Sequence, residues 1–245
     1  MGKLPFAIQL YTVRDYMDKD APETLKRVKA AGYDYVELAG LAGRTAPEFK
    51  KLVTDAGLTA ISAHVSVEEL WKDTAPTVAM LNEFGIKYAA ISWNAKDKAG
   101  WLANAKVLDS IGGKLHAAGV QFCYHNHAHE FEKFDGVYAL DLLYQNTKPE
   151  NLAAQIDVYW VKYGNEDPVA YIKKYAGRCP LLHIKDMAKG ESRTFSEVGC
   201  GIIDMPAVIA AGKAAGTKWF IVEQDTCPVD SLESARISAE YMAKL

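Results

Sequence analysis

Ala118-Gly119-Val120-Gln121-Phe122-Cys123-Tyr124-His125-Asn126-His127, residues 118–127, holds the organisation of the whole chain in miniature. An Ala-Gly pair ends a helix, because glycine takes the left-handed conformation that closes a last helical turn at little steric cost. An apolar run follows at once, as a parallel strand buried on both faces requires. Polar residues end it. The same order recurs with Ala31-Gly32 before YDYVELAG, Ala56-Gly57 before LTAISAHV, Phe84-Gly85 before IKYAAISW and Ala215-Gly216 before TKWFIVEQ. With its weaker members the pattern predicts eight strands, near 5–12, 33–39, 58–65, 86–93, 120–127, 152–158, 179–186 and 218–225. Helical stretches lie between them. Pro22 suits a first turn, Asp167-Pro168 and Asp204-Met205-Pro206 each begin with an N-cap aspartate, and a last helix over 230–244 would close the ring.

Eight strand–helix units without a linker or low-complexity tract predict an α/β fold, a single (β/α)8 TIM barrel domain over residues 1–245. A doubly wound open sheet normally uses five or six strands and would leave two unexplained. The length of 245 residues matches the usual barrel, and 49% hydrophobic residues supply ample core.

Composition narrows the partners. A net charge of −3 from interspersed charges, with no basic stripe, argues against nucleic acid or an anionic membrane surface. No window approaches a transmembrane span. Cys123, Cys179, Cys200 and Cys227 form no CxxC pair and read as reduced thiols. Met1 to Phe6 lack the apolar core of a signal peptide, so a cytoplasmic protein is expected, a leader removed beforehand aside. Assembly as a homo-oligomer is compatible with the sequence, which does not decide it.

In this fold the active site gathers at the C-terminal ends of the strands. Those ends are polar here: Gln9, Tyr11 and Arg14, Glu37, His64, Trp93 and Asn94, then His125, Asn126 and His127. Asp157 and Tyr159, His183, Lys185 and Asp186, and Glu223, Gln224 and Asp225 complete the rim. His125, His127 and His129 would share one face if their segment stays extended. A lone histidine is more often a hydrogen-bonded core or strand-end residue than a ligand. A ring of carboxylates and imidazoles in one cleft is different, because its charges repel unless a cation compensates. His125, Asp157, His183 and Glu223 end four consecutive strands and are the expected metal ligands. Two imidazoles with two carboxylates suit Mn²⁺, Zn²⁺, Co²⁺ or Fe²⁺ better than Ca²⁺ or Mg²⁺.

The chain resembles the xylose isomerase-like TIM barrels, the sugar phosphate isomerase/epimerase family. The resemblance is carried by IQLYTVRD (8–15), YVELAG (35–40), YHNHAHEF (124–131), QIDVYWV (155–161), DPVAYIKKYAGR (167–178), LLHIKDM (181–187), VGCGIIDM (198–205) and IVEQD (221–225). It covers nearly the whole chain. It implies one divalent metal held from strands 5 to 8, at the positions of His125, Asp157, His183 and Glu223. Ketose 3-epimerases of this superfamily carry a glutamate on strand 5 as ligand and base; His125 stands there in this sequence, H-N-H against E-N-H. A symmetric two-glutamate epimerisation is therefore in doubt. Related inosose dehydratases are similar in their His-rich strand 5.

The implied reaction is isomerisation or epimerisation of a sugar or keto-sugar, a small-molecule carbohydrate, by proton abstraction beside a metal-bound carbonyl to an enediolate. Glu223 is the expected base. Lys185 is expected to neutralise the oxyanion or protonate a leaving hydroxyl, unless it is a structural salt bridge to Asp186 or Asp157. His64, Glu37 and Lys185 are candidates for a second base. Substrate contacts are expected from Tyr11, Arg14, Glu37, Trp93, His127 and Tyr159, with Trp160 read as packing. The alternative is a lyase or dehydratase on a keto-inositol or 3-keto sugar, since loss of a β-hydroxyl shares the first step. A metal-dependent nuclease would need more histidines and a basic groove, and a non-catalytic sugar-binding subunit would not need ligands on four strands.

Overall fold

Eight parallel strands close on themselves: β1 (Phe6–Gln9), β2 (Tyr35–Ala39), β3 (Thr59–His64), β4 (Tyr88–Ile91), β5 (Gln121–His125), β6 (Ala153–Asp157), β7 (Leu181–Ile184) and β8 (Trp219–Val222). Each pairs with its sequence neighbours among these eight, and β8 returns to β1 through Phe6–Phe220, Ala7–Ile221 and Ile8–Val222. This is the (β/α)8 barrel that the repeating unit predicts. The structure is a computed structural model describing residues 4–245. Residues 1–3, on which the leader expectation partly rests, lie outside the described residues. No described helix is long and apolar enough to cross a membrane.

The local signals act as their chemistry requires. Gly119 and Gly216 end their helices with φ of 76° and 88°, and the apolar strands follow directly. Asp167 caps Val169 N–H at 2.9 Å and Asp204 caps Ala207 N–H at 3.0 Å. Before Pro22 the long helix Arg14–Ala30 breaks at Asp20 (φ −150°, ψ 86°), whose carboxylate accepts Glu23 N–H at 3.0 Å and starts it again. Helices pack outside the barrel over a continuous apolar layer. Within helix Lys98–Ala117, Gly112 lies against the chain: an added Cβ would meet the Asn151 carbonyl oxygen at 1.9 Å. Backbone cannot yield as a side chain can. Gly112→Ala is therefore expected to destabilise the fold by about 2–3 kcal/mol, read as a lower urea midpoint.

Several strands end earlier than the apolar pattern suggests, two of them where a side chain captures backbone. The first is predicted to reach 12, but Gln9 accepts Tyr11 N–H and turns Leu10–Val13 into a 3-10 helix. The fifth is predicted to reach 127, but the Glu130 carboxylate accepts His127 N–H at 2.8 Å and bends the chain into the 3-10 turn His129–Phe131. The alternation of the three histidines thus fails beyond His127. β8 stops at Val222, which leaves Glu223 one residue past its end. The last helix spans Ser231–Met242. Two small hairpins, at 133–138 and 186–196, and the helices Val67–Lys72 and Val158–Tyr163 are additions to the repeating unit.

Candidate active site and metal centre

Alternate residues of a barrel strand point inward, so the lumen is built in layers. Ala7, Ile61, Ala90, Cys123, Ala153, Leu181 and Ile221 form an apolar lower layer, with Tyr35, Tyr88 and Trp219 packed against it. Two residues further along five of these strands stand Gln9, His125, Gln155, His183 and Glu223, and β2 contributes Glu37. Between Val36 and Glu37 the β2–β3 register slips, so Ser62 comes opposite Glu37. The third layer begins with Asp157 and Lys185.

Glu37 organises the polar layer. Its buried carboxylate accepts hydrogen bonds from Gln9 Nε2 (2.8 Å), Ser62 Oγ (2.6 Å) and Gln155 Nε2 (2.7 Å), and lies 2.6 Å from His183 Nε2. Burial would raise its pKa, but the charges of His183 and His64 hold it well below the usual carboxylate range. Its oxygens are engaged by protein partners, and Glu37, expected as a substrate contact, does not line the cavity; it stands behind His183 instead. The other ring nitrogen of His183, Nδ1, lies 2.8 Å from Glu223 Oε2, so the ring bridges the two carboxylates. A carboxylate behind an imidazole is the usual support of a metal-ligating histidine.

When no ion is bound, His183 sits between two carboxylates. Burial alone would lower its pKa, but Glu37 and Glu223 outweigh it and raise the ring to about 10. The unfolded ring titrates near 6.5. Its stabilising charge is fully present below about pH 6.5 and is lost as pH rises towards 10. In chelated protein the melting temperature is therefore expected to fall between these limits. His183→Gln should flatten that decline; parallel slopes would show that His183 does not control it.

His125 is the second imidazole. Burial drives its pKa well below the ordinary value, so the ring is neutral. Nδ1 lies 3.2 Å from Gln155 Oε1, which leaves Nε2 an acceptor 3.6 Å from Asp157 Oδ2. Asp157 Oδ1 accepts the N–H groups of Tyr159 and Trp160 at 2.9 and 3.1 Å, while Oδ2 is buried without a hydrogen bond. Two acceptors thus face each other with no proton between them. Burial lifts the Asp157 pKa to about 6, against the pull of Lys185 and His183. One donor atom each from His125, Asp157, His183 and Glu223 lies within 4.8 Å of the others. Donor types, a carboxylate oxygen that accepts no hydrogen bond and a supported imidazole all fit a divalent cation.

Lys185 stands beside this cluster, 1% exposed. Its Nζ is 2.6 Å from Glu223 Oε2, 2.8 Å from Asp225 Oδ1 and 3.1 Å from Asp157 Oδ2. Burial disfavours the ammonium, but these three carboxylates raise its pKa and keep it charged. Of the two structural partners expected for it, Lys185 pairs with Asp157 and not with Asp186. That carboxylate instead accepts the N–H groups of Met187, Gly199, Gly201 and Ile203 and folds the VGCGIIDM loop around itself. Four carboxylates, from Glu37, Asp157, Glu223 and Asp225, outnumber the cationic groups among them, and a divalent ion would restore the balance.

Above lies a cavity of about 320 Å³ lined by Gln9, Tyr11, Ala39, His64, Ser92, His125, His127, Lys185, Glu223 and Asp225. His64, part-exposed, places Nε2 2.8 Å from Gln155 Oε1, and burial lowers the His127 pKa. Tyr11, His64, His127, Lys185 and Glu223 therefore reach the cavity. Three other expected contacts do not line it. Arg14 spends its guanidinium on the carbonyls of Tyr11 (2.8 Å) and Asp225 (2.7 Å) and stacks on the Tyr11 ring. Tyr159 is buried, stacked on Phe195 with its hydroxyl donating to the Arg193 carbonyl. Trp93 lines a neighbouring groove. Sequence reasoning missed Gln155 and Ser62. The signal for Gln155 was its place two residues before Asp157, on the same inward face; the strand slip that turns Ser62 inward left none.

Known proteins share this arrangement's scaffold. Inosose dehydratase of Geobacillus kaustophilus is 23% identical over 268 aligned residues, which cover 91% of this chain and 86% of that protein. A sugar phosphate isomerase/epimerase from Parabacteroides distasonis superposes with a TM-score of 0.85 at 26% identity, over 98% of this chain and 97% of that one. The IolI protein, whose crystal structure holds a zinc atom, has the same fold with a TM-score of 0.73 at 14% identity, over 97% and 96% of the two chains. The sequence profile of one family matches residues 25–245, nearly all of the closed barrel. This chain belongs to the xylose isomerase-like TIM barrel family.

Proposed function

We propose that the protein is a divalent-metal-dependent isomerase or epimerase of a sugar or keto-sugar. The observation that carries this reading is the convergence of His125, Asp157, His183 and Glu223 beside a cavity that His125, Glu223 and Lys185 line. The cavity's volume suits one monosaccharide ring. When bound, the ion supplies Lewis acidity to a substrate carbonyl and its neighbouring hydroxyl. Glu223 removes the proton from the adjacent carbon. Its carboxylate stays ionised because Lys185 and His183 offset the penalty of burial. The Lys185 ammonium offsets the charge that develops on oxygen as the enediolate forms. His64, three strands round the barrel from β8, is placed to return a proton to another carbon or face. Glu37 and Gln155 hold the imidazoles in register. Its four cysteines are free thiols, which fits a protein of the reducing cytoplasm acting on a small carbohydrate.

Dehydration of a keto-inositol or 3-keto sugar is the second reading, and one feature favours it. The two carboxylates lining the cavity, Glu223 and Asp225, both follow β8, and β5 offers His125 where a second base would stand. The Lys185 ammonium, which lines the cavity, suits protonation of a departing hydroxyl. Metal analysis of the purified protein, with incubation of ketoses and keto-inositols in deuterated water, tests both. Isomerase chemistry predicts bound metal and carbon-bound deuterium without loss of water; dehydration predicts an absorbing unsaturated product. Metal-free protein that exchanges no substrate proton would refute both.

A further inference from the structure

A second cavity of about 540 Å³ adjoins the first, with Ser92 and His127 lining both. Its walls are aromatic: Trp93, His127, His129 and Trp160, with Asn94 at the edge. The rings pack against one another. His127 stacks on His129 at 5.8 Å and leans on Trp160 at 5.5 Å, and the exposed Trp71 meets Trp93 edge-on at 5.7 Å. One ring nitrogen in these walls, Trp160 Nε1, is buried with no hydrogen-bond partner, while His129 Nε2 lies 3.1 Å from Glu130 Oε1. None of these features serves proton transfer at Glu223.

We propose that this groove is a second ring subsite, so that the substrate is a sugar carrying a glycosyl or aryl substituent rather than a free monosaccharide. The catalytic cavity takes the reacting sugar. The groove continues from it past His127, so a ring joined to that sugar meets flat aromatic faces without leaving the mouth. Such faces bind the apolar side of a pyranose or a planar ring through stacking, and they leave its polar edge for Ser92 and Asn94. This rests on the sugar-site reading of the first cavity and names its substrate class.

The test is binding by calorimetry to the whole protein, with methyl β-glucopyranoside, phenyl β-glucopyranoside and cellobiose as probes. At least one ring-bearing probe should bind about tenfold tighter than the methyl glycoside, the gain expected from one stacked ring. Trp93→Ala should bring the two within about twofold, and Trp93→Leu, which keeps apolar bulk without a flat face, should do the same. A gain for the phenyl compound alone identifies an aryl substituent; a gain for cellobiose identifies a glycosyl one. Equal affinities in the unaltered protein, no measurable binding of either ring-bearing probe, or a gap that survives both substitutions would overturn the subsite. Proton exchange absent from keto-sugars both with and without a glycosyl or aryl substituent, with the affinity gap intact, would instead remove the proposed reaction and leave the groove.

Discussion

On the proposed metal-dependent reaction, Asp157→Asn is expected to abolish binding of a divalent ion and to lower turnover by about a thousandfold or more, yet to leave the protein folded. The two carboxylate oxygens have separate work. Oδ1 caps the helix after β6 by accepting two N–H groups, and the asparagine carbonyl can keep those bonds. Oδ2, buried and without a hydrogen bond, would become an amide nitrogen with no lone pair to offer. That nitrogen would also turn its hydrogens towards the Lys185 ammonium, now 3.1 Å from Oδ2. Asp157→Ala removes the cap as well and should cost about 1 kcal/mol more in stability. Metal content by mass spectrometry, melting temperature and substrate deuteration separate these effects. A folded Asp157→Asn protein with full metal and full turnover would show that the ion, if any, lies elsewhere.

Glu223→Gln is expected to retain metal at an affinity weakened by about ten- to a hundredfold and to lose proton exchange by about a thousandfold or more. The amide oxygen can still face His183 Nδ1 or an ion, but it cannot take a proton from carbon. Lys185 would keep two of its three carboxylate neighbours, Asp157 and Asp225, so its charge remains compensated. Exchange should stay low even when metal is saturating, which distinguishes a lost base from a lost ligand. Unchanged exchange at saturating metal would move the base to another residue.

Much of this structure could be read in the residues because barrel strands carry two signals at once. The Ala-Gly and Phe-Gly endings marked where five of the strands begin, and the apolar runs marked their burial. Polar residues at the far ends, from His125 to Glu223, marked the mouth. What escaped reading lies where a side chain captures backbone. Gln9 ends β1 by taking Tyr11 N–H, and Glu130 turns His129 aside by taking His127 N–H. Such bonds depend on a chain path that periodicity does not describe. Glu37, Arg14 and Tyr159 are polar residues near the mouth, as substrate contacts would be, but each is consumed by protein partners. Residue type and position alone cannot distinguish a group that is already satisfied from one that is available.

The layered lumen has a consequence for how this chain can change over generations. Small and branched side chains from seven strands, with rings from three, plug the lower end of the cylinder, and no titratable group of the mouth contributes to that plug. Folding strength and reactivity are thereby lodged at opposite ends of the same staves. Substitutions at the open end can redirect the reaction towards a new compound while the closed end goes on securing the architecture. A lineage of such barrels is free to diversify its catalysis without first having to regain a stable fold.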